Sequence, residues 1–258
     1  MRSRLILNDN SMKLLVCVSK TPETTAKIAF TDDNTRFDTN GVQYIMNPYD
    51  EWYALVRALE LKEKFGGSVT ILNVGPAEND TVIRKGLAIG ADEAVRIDTE
   101  PSSALFTARQ IAAYAKDQDF DAIFFGKETI DYNGSEVSGM VAELLDLPFL
   151  SYASKLEMED EQKAVITRDI EGGTETAEVA PPFVLSAAKG LAEQRIPNMR
   201  GIMMAKRKPL NVVEPIEAED MAVTVHYELP PEKGDVKIVD SESMDELVRL
   251  LHEEAKVI

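Results

Sequence analysis

Glycine, hydroxyl and amide residues are concentrated in one short stretch of the chain, Gly126 to Met140, and groups of this kind can bind a phosphate. Asp121 to Phe125 before it is an apolar run typical of a buried strand, and Val137 to Leu145 after it has apolar residues at helical spacing. A polar loop between a strand and a helix N-terminus offers an anion free N–H groups and a favourable helix dipole. The stretch therefore predicts a nucleotide-binding loop, with an ordinary strand-to-helix connection as the alternative.

The loop matches neither of two common phosphate-binding motifs. It contains no G-x-G-x-x-G and no G-K-[ST], which argues against a dinucleotide fingerprint and a P-loop. An adenylating enzyme that releases pyrophosphate would need a glycine-containing phosphate loop after the first strand, where this chain reads Ser19-Lys20-Thr21-Pro22. We therefore expect an adenine-nucleotide site of another kind. A universal-stress-type ATP-binding module stays open as a rival, although it would lack the hairpin, arm and terminal helix predicted below.

Composition narrows the classes of protein to which the chain can belong. Among its 258 residues, 28 Lys and Arg stand against 45 Asp and Glu, a net charge of −17 that repels nucleic acid and anionic membranes. Cys17, His226 and His252 are the only cysteine and histidines, which argues against a metal site built from these residues and against a Ser–His triad. No apolar segment has the length of a membrane helix, and Met1 to Ser11 lacks a signal-peptide core. We expect a cytoplasmic protein with neither a nucleic-acid partner nor membrane insertion.

Short apolar runs alternate with segments of helical periodicity, a pattern that predicts an α/β fold with a parallel sheet. A helix should begin at Asn47-Pro48, with Asn47 as its N-cap, and end at Gly66-Gly67. The other predicted helices are 79–89, 102–116 and 137–145, and the predicted strands are 12–19, 68–74, 93–97, 122–125, 149–152 and 183–186.

The second half of the chain departs from this alternation. Residues 163–170 and 174–179 flank Glu171-Gly-Gly173 and predict a β-hairpin inserted into the domain. We expect the domain to span 12–210, preceded by an extension of residues 1–11, because Met12 is a candidate start. Residues 211–258 should form an arm that ends in a helix, started by a capping box at Ser243 to Glu246. The apolar stripe of that helix consists of Met244, Leu247, Val248 and Leu251. We expect it to be buried by packing on a partner subunit. The alternative is that the helix folds back on its own domain.

Four further segments of the chain form an ordered set: Asn47-Pro48-Tyr49, Gly126-Lys127 through Ile130-Asp131, Arg168 to Thr176, and Ile202-Met-Met-Ala-Lys-Arg-Lys-Pro209. Taken in this order they resemble the β subunit of electron transfer flavoprotein, and the likeness runs from about Met12 to the C-terminus. The resemblance implies an adenine-nucleotide hydrolase-like (Rossmann-like) sheet in a protein that carries electrons and is not an enzyme. It also implies a heterodimer with an α subunit that holds most of the FAD site. Such a complex accepts electrons from acyl-CoA dehydrogenase and related enzymes and passes them to a quinone oxidoreductase or a similar acceptor.

The resemblance further implies that the β chain binds AMP, or a second FAD in electron-bifurcating members. The implied cofactor-binding residues are Cys17, Asn47, Pro48, Tyr49, Asp50, Val74, Gly126, Lys127, Glu128, Thr129, Ile130, Asp131, Tyr132, Asn133, Gly134, Ser135, Glu136 and Val137. Tyr49 matches an aromatic residue that leans towards the α-subunit flavin. The chain departs from the family at Glu136, where a Gln is usual and where a carboxylate would repel a phosphate unless it points to solvent. Val137 is the choice associated with bifurcating members, and by itself it does not decide between AMP and FAD.

The same resemblance implies a docking segment for dehydrogenases. Its apolar anchor corresponds to Met199, in a loop that also carries Glu193 and Arg195. A flexible, polarizable Met suits a surface that must fit several partners. The alternative is that Met199 fills a gap in its own domain.

Overall fold

Apolar runs produce the strands of this protein, whose computed structural model describes residues 11–232 and 234–258. The predicted extension therefore lies outside the described residues except for Ser11. The strands are β1 Met12–Cys17, β2 Lys20–Pro22, β3 Phe30–Thr31, β4 Arg36–Phe37, β5 Tyr44–Met46, β6 Gly67–Val74, β7 Glu93–Ile97, β8 Ala122–Gly126, β9 Phe149–Asp160, β10 Lys163–Ile170, β11 Gly173–Val179, β12 Phe183–Ala187 and β13 Leu210–Val213.

The helices alternate with the central strands, as the periodicity predicted. They are α1 Asp50–Phe65, α2 Asp80–Ile89, α3 Ala104–Ala115, α4 Val137–Leu145, α5 Met199–Ala205 and α6 Met244–Arg249. A 3-10 turn, Ala77–Asn79, precedes α2, and a π-helical segment, Leu250–Ala255, continues α6. At the end of α1, Gly66 has φ 78° and Gly67 has φ 105°, and a Cβ on Gly67 would lie 1.9 Å from the Met12 carbonyl oxygen. Glycine at position 67 thus lets the chain turn directly into β6 beside β1.

A nine-stranded sheet in the order β11-β10-β9-β12-β8-β1-β6-β7-β13 forms the centre of the molecule. The seven strands from β9 to β13 in this order pair in parallel, whereas β10 pairs antiparallel with both β9 and β11. The α/β fold with a mostly parallel sheet and a hairpin insertion is confirmed. The carboxyl ends of the parallel strands meet at one edge, where loops can converge on a ligand.

Successive residues of the central strands alternate between two cores. Leu14 and Val16 of β1 pack on the side of α1 and α2, whereas Leu15 and Cys17 pack on the side of α3 and α4. Because helices cover both faces, the strands need no polar face, which explains their continuous apolar runs.

Three local features differ from the sequence prediction. The predicted parallel strand at 149–152 is present but extends to Asp160, because its second half pairs antiparallel with β10. Residues Leu210–Val213, where the arm was predicted to start, form β13, an edge strand beside β7. The capping box at Ser243 does not form, since Ser243 makes no side-chain hydrogen bond to the first turn of α6.

The region between β1 and α1 forms two small antiparallel ladders. Strands β2 and β5 pair with each other, and β3 and β4 form a small hairpin. This segment places the residues before α1 at the carboxyl edge of the sheet. Within residues 11–232 and 234–258, no helix has the length and apolar character required to cross a membrane.

Candidate nucleotide-binding site

Three neighbouring strands bring their carboxyl ends together at the predicted site. The sheet order β8-β1-β6 places Gly126, Cys17 and Val74 side by side at this edge. Cys17 and Val74 are both buried, so they form the floor of this region, with the loop after β8 at its rim. The structure thus brings together residues that are about fifty positions apart in the chain.

Asn47 connects the start of α1 to the loop after β8. Its side chain is fully buried, its Nδ2 donates to the Glu128 carbonyl at 2.9 Å, and its Oδ1 accepts from the Ile130 amide at 3.0 Å. The prediction that Asn47 caps α1 was wrong, because the helix begins at Asp50 and its N-cap is Tyr49. An amide has one acceptor and one donor group, so it can bind a backbone C=O and a backbone N–H of the loop at the same time.

Further hydrogen bonds determine the path of the loop after β8. The Lys127 amide donates to the Ala187 carbonyl of β12 at 2.9 Å, and the Asn133 amide donates to the Thr129 carbonyl at 2.9 Å. Within the loop the Lys127 ammonium lies 3.1 Å from the Glu128 carboxylate. Hydrogen bonding to Glu128, and the charge of Asp50, raise the pKa of Lys127. The base of the loop is thus attached to β12 and, through Asn47, to the start of α1.

The end of the loop has a backbone shape suited to an anion. Ser135 has a positive φ of 55°, and Glu136 follows in the right-handed region with φ −100° and ψ −41°. This alternation turns successive N–H groups towards one side, a geometry that binds anions. Glu136 makes no side-chain cap to α4, so the first turn of that helix keeps its unpaired N–H groups. Glu136 is exposed to solvent, the condition under which its carboxylate does not oppose a phosphate. These residues fit a nucleotide phosphate.

Gly126 lets α1 lie directly against the end of β8. A Cβ at this position would lie 2.9 Å from the Glu51 amide nitrogen and 3.1 Å from the Asp50 Cβ. Side chains essentially never approach backbone this closely, so only glycine permits this contact. The first turn of α1 and the loop therefore share one wall of the site.

A buried carboxylate lies beneath that wall. Glu51 is 4% exposed, and its carboxylate accepts from the Ser19 amide at 2.7 Å. Burial raises the pKa of Glu51 to about 8, and the nearby Asp131 and Asp50 carboxylates add to the shift. Burial, together with Glu51, also raises the pKa of the Cys17 thiol. Glu51 was not predicted as a site residue, because an acidic residue in the first turn of a helix ordinarily indicates only a favourable dipole interaction.

Asp50 and Tyr49 differ in their exposure to solvent. Burial raises the pKa of Asp50 to about 6, an effect that the Lys127 ammonium opposes and the Glu128 carboxylate reinforces. Tyr49, which has a positive φ of 64°, is 54% exposed. The described residues therefore leave this ring available to a partner or a ligand.

The loop after β6 is held by a second polar network that was not predicted. Asn73 donates to the Val18 carbonyl at 2.8 Å, and the buried Asn79 donates to the Asn73 side chain at 2.9 Å. From the other side, Arg96 of β7 donates to the Gly75 carbonyl at 3.0 Å. These bonds connect the ends of β1, β6 and β7. Single polar residues in apolar runs were the only sequence signal for this network.

Of the predicted docking residues, Glu193 and Arg195 precede α5 and Met199 begins it. The Trp52 indole in the first turn of α1 donates to the Arg195 carbonyl at 3.2 Å. Met199 is the first residue of α5 rather than part of a loop, and it is 74% exposed. It does not fill a gap in its own domain. Arg195 forms an ion pair with Glu63 of α1 at 2.6 Å, and Glu193 is exposed. Other apolar side chains near Met199 are also exposed, and these are Ile196, Ile202, Met203 and Met204.

Comparison with known proteins agrees with the resemblance found in the sequence. Residues 35–218 match the model of the family described as electron transfer flavoprotein domain. The chain is 37% identical over 261 residues to the electron transfer flavoprotein subunit beta of Bacillus subtilis, covering 96% of this chain and 100% of that protein. It is 32% identical over 257 residues to the Homo sapiens subunit beta, covering 95% of this chain and 99% of that protein. The range matched by the family model contains both the loop after β8 and α5.

Proposed function

Because the chain belongs to the electron transfer flavoprotein β-subunit family, whose members are electron carriers rather than enzymes, we propose that it pairs with an α subunit and binds AMP. In this proposal, FAD bound mainly by the α subunit supplies the redox chemistry of the complex. The β chain contributes a rigid edge at which its own nucleotide and the partner subunit are held. The complex accepts electrons from acyl-CoA dehydrogenase or related enzymes and passes them to a quinone oxidoreductase or similar acceptor, in the cytoplasm.

The observation that carries the nucleotide assignment is the bridge made by Asn47. A fully buried amide that binds the Glu128 carbonyl and the Ile130 amide fixes the loop before any ligand binds. A fixed loop lowers the entropic cost of ligand binding. The phosphate of AMP would bind the N–H groups around Ser135 and Glu136 and the start of α4. Val74 and Cys17 would form the apolar floor.

Tyr49 and Met199 have separate roles in this proposal. The Tyr49 ring would pack towards the flavin held by the α subunit, since the β chain leaves it exposed. Met199 would insert into an apolar pocket of a dehydrogenase, with Arg195 and Glu193 beside it. The proposal thus assigns the flavin side of the complex to Tyr49 and the dehydrogenase to helix α5.

The cofactor content of the purified αβ complex tests the nucleotide assignment. Released cofactors are separated by chromatography and quantified against protein. We expect one FAD and one AMP per complex. Two FAD per complex would instead favour an electron-bifurcating member, in which the second FAD takes the place of AMP. A complex with one FAD and no adenine nucleotide would contradict the assignment.

Asn47→Ala tests whether the loop must be fixed for nucleotide binding. The variant loses two hydrogen bonds to the loop, each worth about 1 kcal/mol, so we expect AMP affinity to fall on the order of tenfold or more. Calorimetric titration of AMP into nucleotide-free complex measures this change. Asn40→Ala is the matched control, since the exposed Asn40 bonds only to Asp38. Equal AMP affinities for Asn47→Ala and wild type would remove Asn47 from the site.

A further inference from the structure

The arm does not leave the domain directly after β13 but follows α3. Gln110 of α3 is 1% exposed and makes two hydrogen bonds to Ile216, donating to its carbonyl at 2.9 Å and accepting from its amide at 2.9 Å. Nearer the start of α3, Arg109 donates to the Glu219 carbonyl at 2.6 Å and Ser103 donates to Asp220. Because α3 starts after the carboxyl end of β7, the arm runs towards the edge that carries the candidate site.

At that edge Tyr227 of the arm stacks on the segment between β2 and β5, and its hydroxyl reaches the loop after β8. The Tyr227 ring stacks on Phe30 with a centroid distance of 5.0 Å and an interplanar angle of 14°. The Tyr227 amide also donates to the Asn34 carbonyl at 2.8 Å, which fixes the backbone at this point. The Tyr227 hydroxyl lies 3.4 Å from the hydroxyl of Tyr132, a residue of the loop after β8. Tyr227 is thus attached to the segment between β2 and β5 and contacts the loop at Tyr132, whereas Asn47 contacts it at Glu128 and Ile130.

We propose that residues 216–227 form a strap across the carboxyl edge of the sheet, and that Tyr227 is a positioning residue for the loop that binds the nucleotide. The effect of Tyr227 on nucleotide binding rests on the proposed function. The brace, the contact by which Tyr227 supports the loop, does not. Asn47 holds the base of the loop, through Glu128 and Ile130. The strap holds the part between Asp131 and Ser135, where the Tyr132 side chain is 70% exposed.

The strap contact governs how often this part of the loop opens. Asn133 and Ser135 have positive φ values of 49° and 55°, a conformation that Asn tolerates but that costs free energy at Ser135. Support from Tyr132 and Tyr227 keeps the N–H groups near Ser135 directed to one side. Loss of this support raises the population of open loop and therefore the rate at which a bound nucleotide leaves.

Amide hydrogen exchange in the nucleotide-free αβ complex tests the brace without reference to any ligand. Peptides that contain residues 129–136 should exchange several-fold faster in Tyr227→Ala than in wild type, because local opening determines exchange. Tyr227→Phe keeps the stacking on Phe30 and loses only the hydroxyl contact, so its exchange should lie between the two. His226→Ala is the matched control, since His226 is the exposed neighbour of Tyr227 on the same strap. If residues 129–136 exchange at the same rate in wild type and Tyr227→Ala, the proposal that Tyr227 supports the loop is overturned.

The rate at which AMP leaves the complex tests whether the contact of Tyr227 with the loop affects nucleotide binding. Dissociation of labelled AMP is measured in a chase with excess unlabelled AMP. It should be about threefold faster in Tyr227→Phe, which loses one weak hydrogen bond. It should be about tenfold faster in Tyr227→Ala, which also loses the aromatic stack on Phe30. Tyr132→Phe should equal Tyr227→Phe, and the double variant should be no faster than either single one, because the two hydroxyl groups form one contact.

The two experiments separate failure of this inference from failure of the proposed function. A wild-type complex that binds no AMP would contradict the nucleotide function, and the exchange result would still decide the brace. The role of the hydroxyl pair would be overturned if Tyr132→Phe and Tyr227→Phe had additive effects on the rate of AMP release. It would also be overturned if His226→Ala accelerated AMP release as much as Tyr227→Phe. Release rates that stay at the wild-type value in Tyr227→Ala would overturn the positioning role.

Discussion

The carboxylate of Glu51 is the most unusual single group near the candidate site. It lies in the first turn of α1, 4% exposed, and its partner is the Ser19 amide. A buried carboxylate is stable only if it is protonated or well paired, and burial raises the pKa of Glu51 to about 8. The folded chain therefore keeps a proton on Glu51 over a range of pH in which the unfolded chain has lost it.

This difference makes a prediction about stability and pH. Between the ordinary value of 4.5 and about 8, the folded state binds more protons at Glu51 than the unfolded state, so the free energy of unfolding falls as the pH rises. Glu51→Gln keeps an acceptor for the Ser19 amide and removes the titration. The stability of Glu51→Gln relative to wild type should therefore increase between pH 5 and pH 8 by on the order of 2–4 kcal/mol.

Denaturant unfolding of both proteins at several pH values measures this effect. Glu78→Gln is the control, because Glu78 is exposed in the turn before α2 and its replacement should leave the pH dependence unchanged. If wild type and Glu51→Gln lose stability in parallel from pH 5 to pH 8, Glu51 is ionised in the folded protein and the prediction is wrong.

Single-residue roles at this site were only partly predictable from the sequence. The residue types in the loop after β8 indicated an anion site, and the backbone shape at Ser135 and Glu136 agrees with that chemistry. The role of Asn47 was predicted from a local rule, since Asn before Pro at the start of a helix ordinarily caps it. The structure uses the amide for contacts with residues more than eighty positions away. No local rule contains such a contact, so the cap was predicted in its place.

At the level of elements, periodicity predicted most of the fold. Strand β7 and helix α4 have the predicted bounds, because each is an apolar-patterned segment bounded by Gly, Pro or polar residues. Strand β13 and helix α5 were missed for different reasons. The four residues of β13 are too short for a periodic signal, and they become a strand only because β7 offers a free edge. Helix α5 contains one buried residue, Ala205, so it has no apolar face directed at a core.

The short helix α5 makes a testable prediction about docking. Met199 lies at its N-terminal end and is largely exposed, although an isolated monomer gains nothing from an exposed Met. Met199→Ala should leave thermal stability and FAD content unchanged and should weaken docking to the dehydrogenase. A single apolar anchor is worth roughly 2 kcal/mol, or about thirtyfold in affinity.

Electron transfer from the reduced dehydrogenase at limiting concentrations of the complex measures docking. Ile28→Ala is the matched control, because Ile28 is an exposed apolar residue of the segment between β2 and β3. Unchanged transfer in Met199→Ala would contradict the docking role. If Met199→Ala lost enough thermal stability to account for slower electron transfer, the role of Met199 would be structural.

Across the whole molecule, the C-terminal region divides into two parts that differ in their contacts. Residues 216–227 contact the chain's own domain through Gln110, Phe30 and Tyr132. Helix α6 has no buried residue at all, and Met244 and Val248 are exposed. The sequence predicted a single arm from residue 211. Loss of hydrophobic periodicity does not distinguish a segment that contacts its own domain from one that is exposed in the isolated chain.

The exposed stripe of α6 leads to a prediction about assembly. Polar contacts of this helix stay within the arm, as in the ion pairs of Arg249 with Glu246 and Glu253. Packing of Met244 and Val248 on the α subunit would bury them, and each buried apolar side chain of this size contributes about 1.5–3 kcal/mol before entropic costs. Deletion of residues 235–258 should therefore release the β chain from the α subunit in size-exclusion chromatography.

Two further measurements make this prediction specific to the stripe. The isolated β chain should keep its thermal stability after the deletion, since α6 buries nothing on its own domain. Met244→Ser with Val248→Ser should weaken assembly as the deletion does, whereas Asp245→Ser with Glu253→Ser, on the charged side of the same segment, should not. The strap is retained in the deleted chain, so release cannot be attributed to loss of the contacts of Tyr227. A deleted chain that still elutes with the α subunit at the lowest measurable concentration would show that the interface lies elsewhere on the β chain.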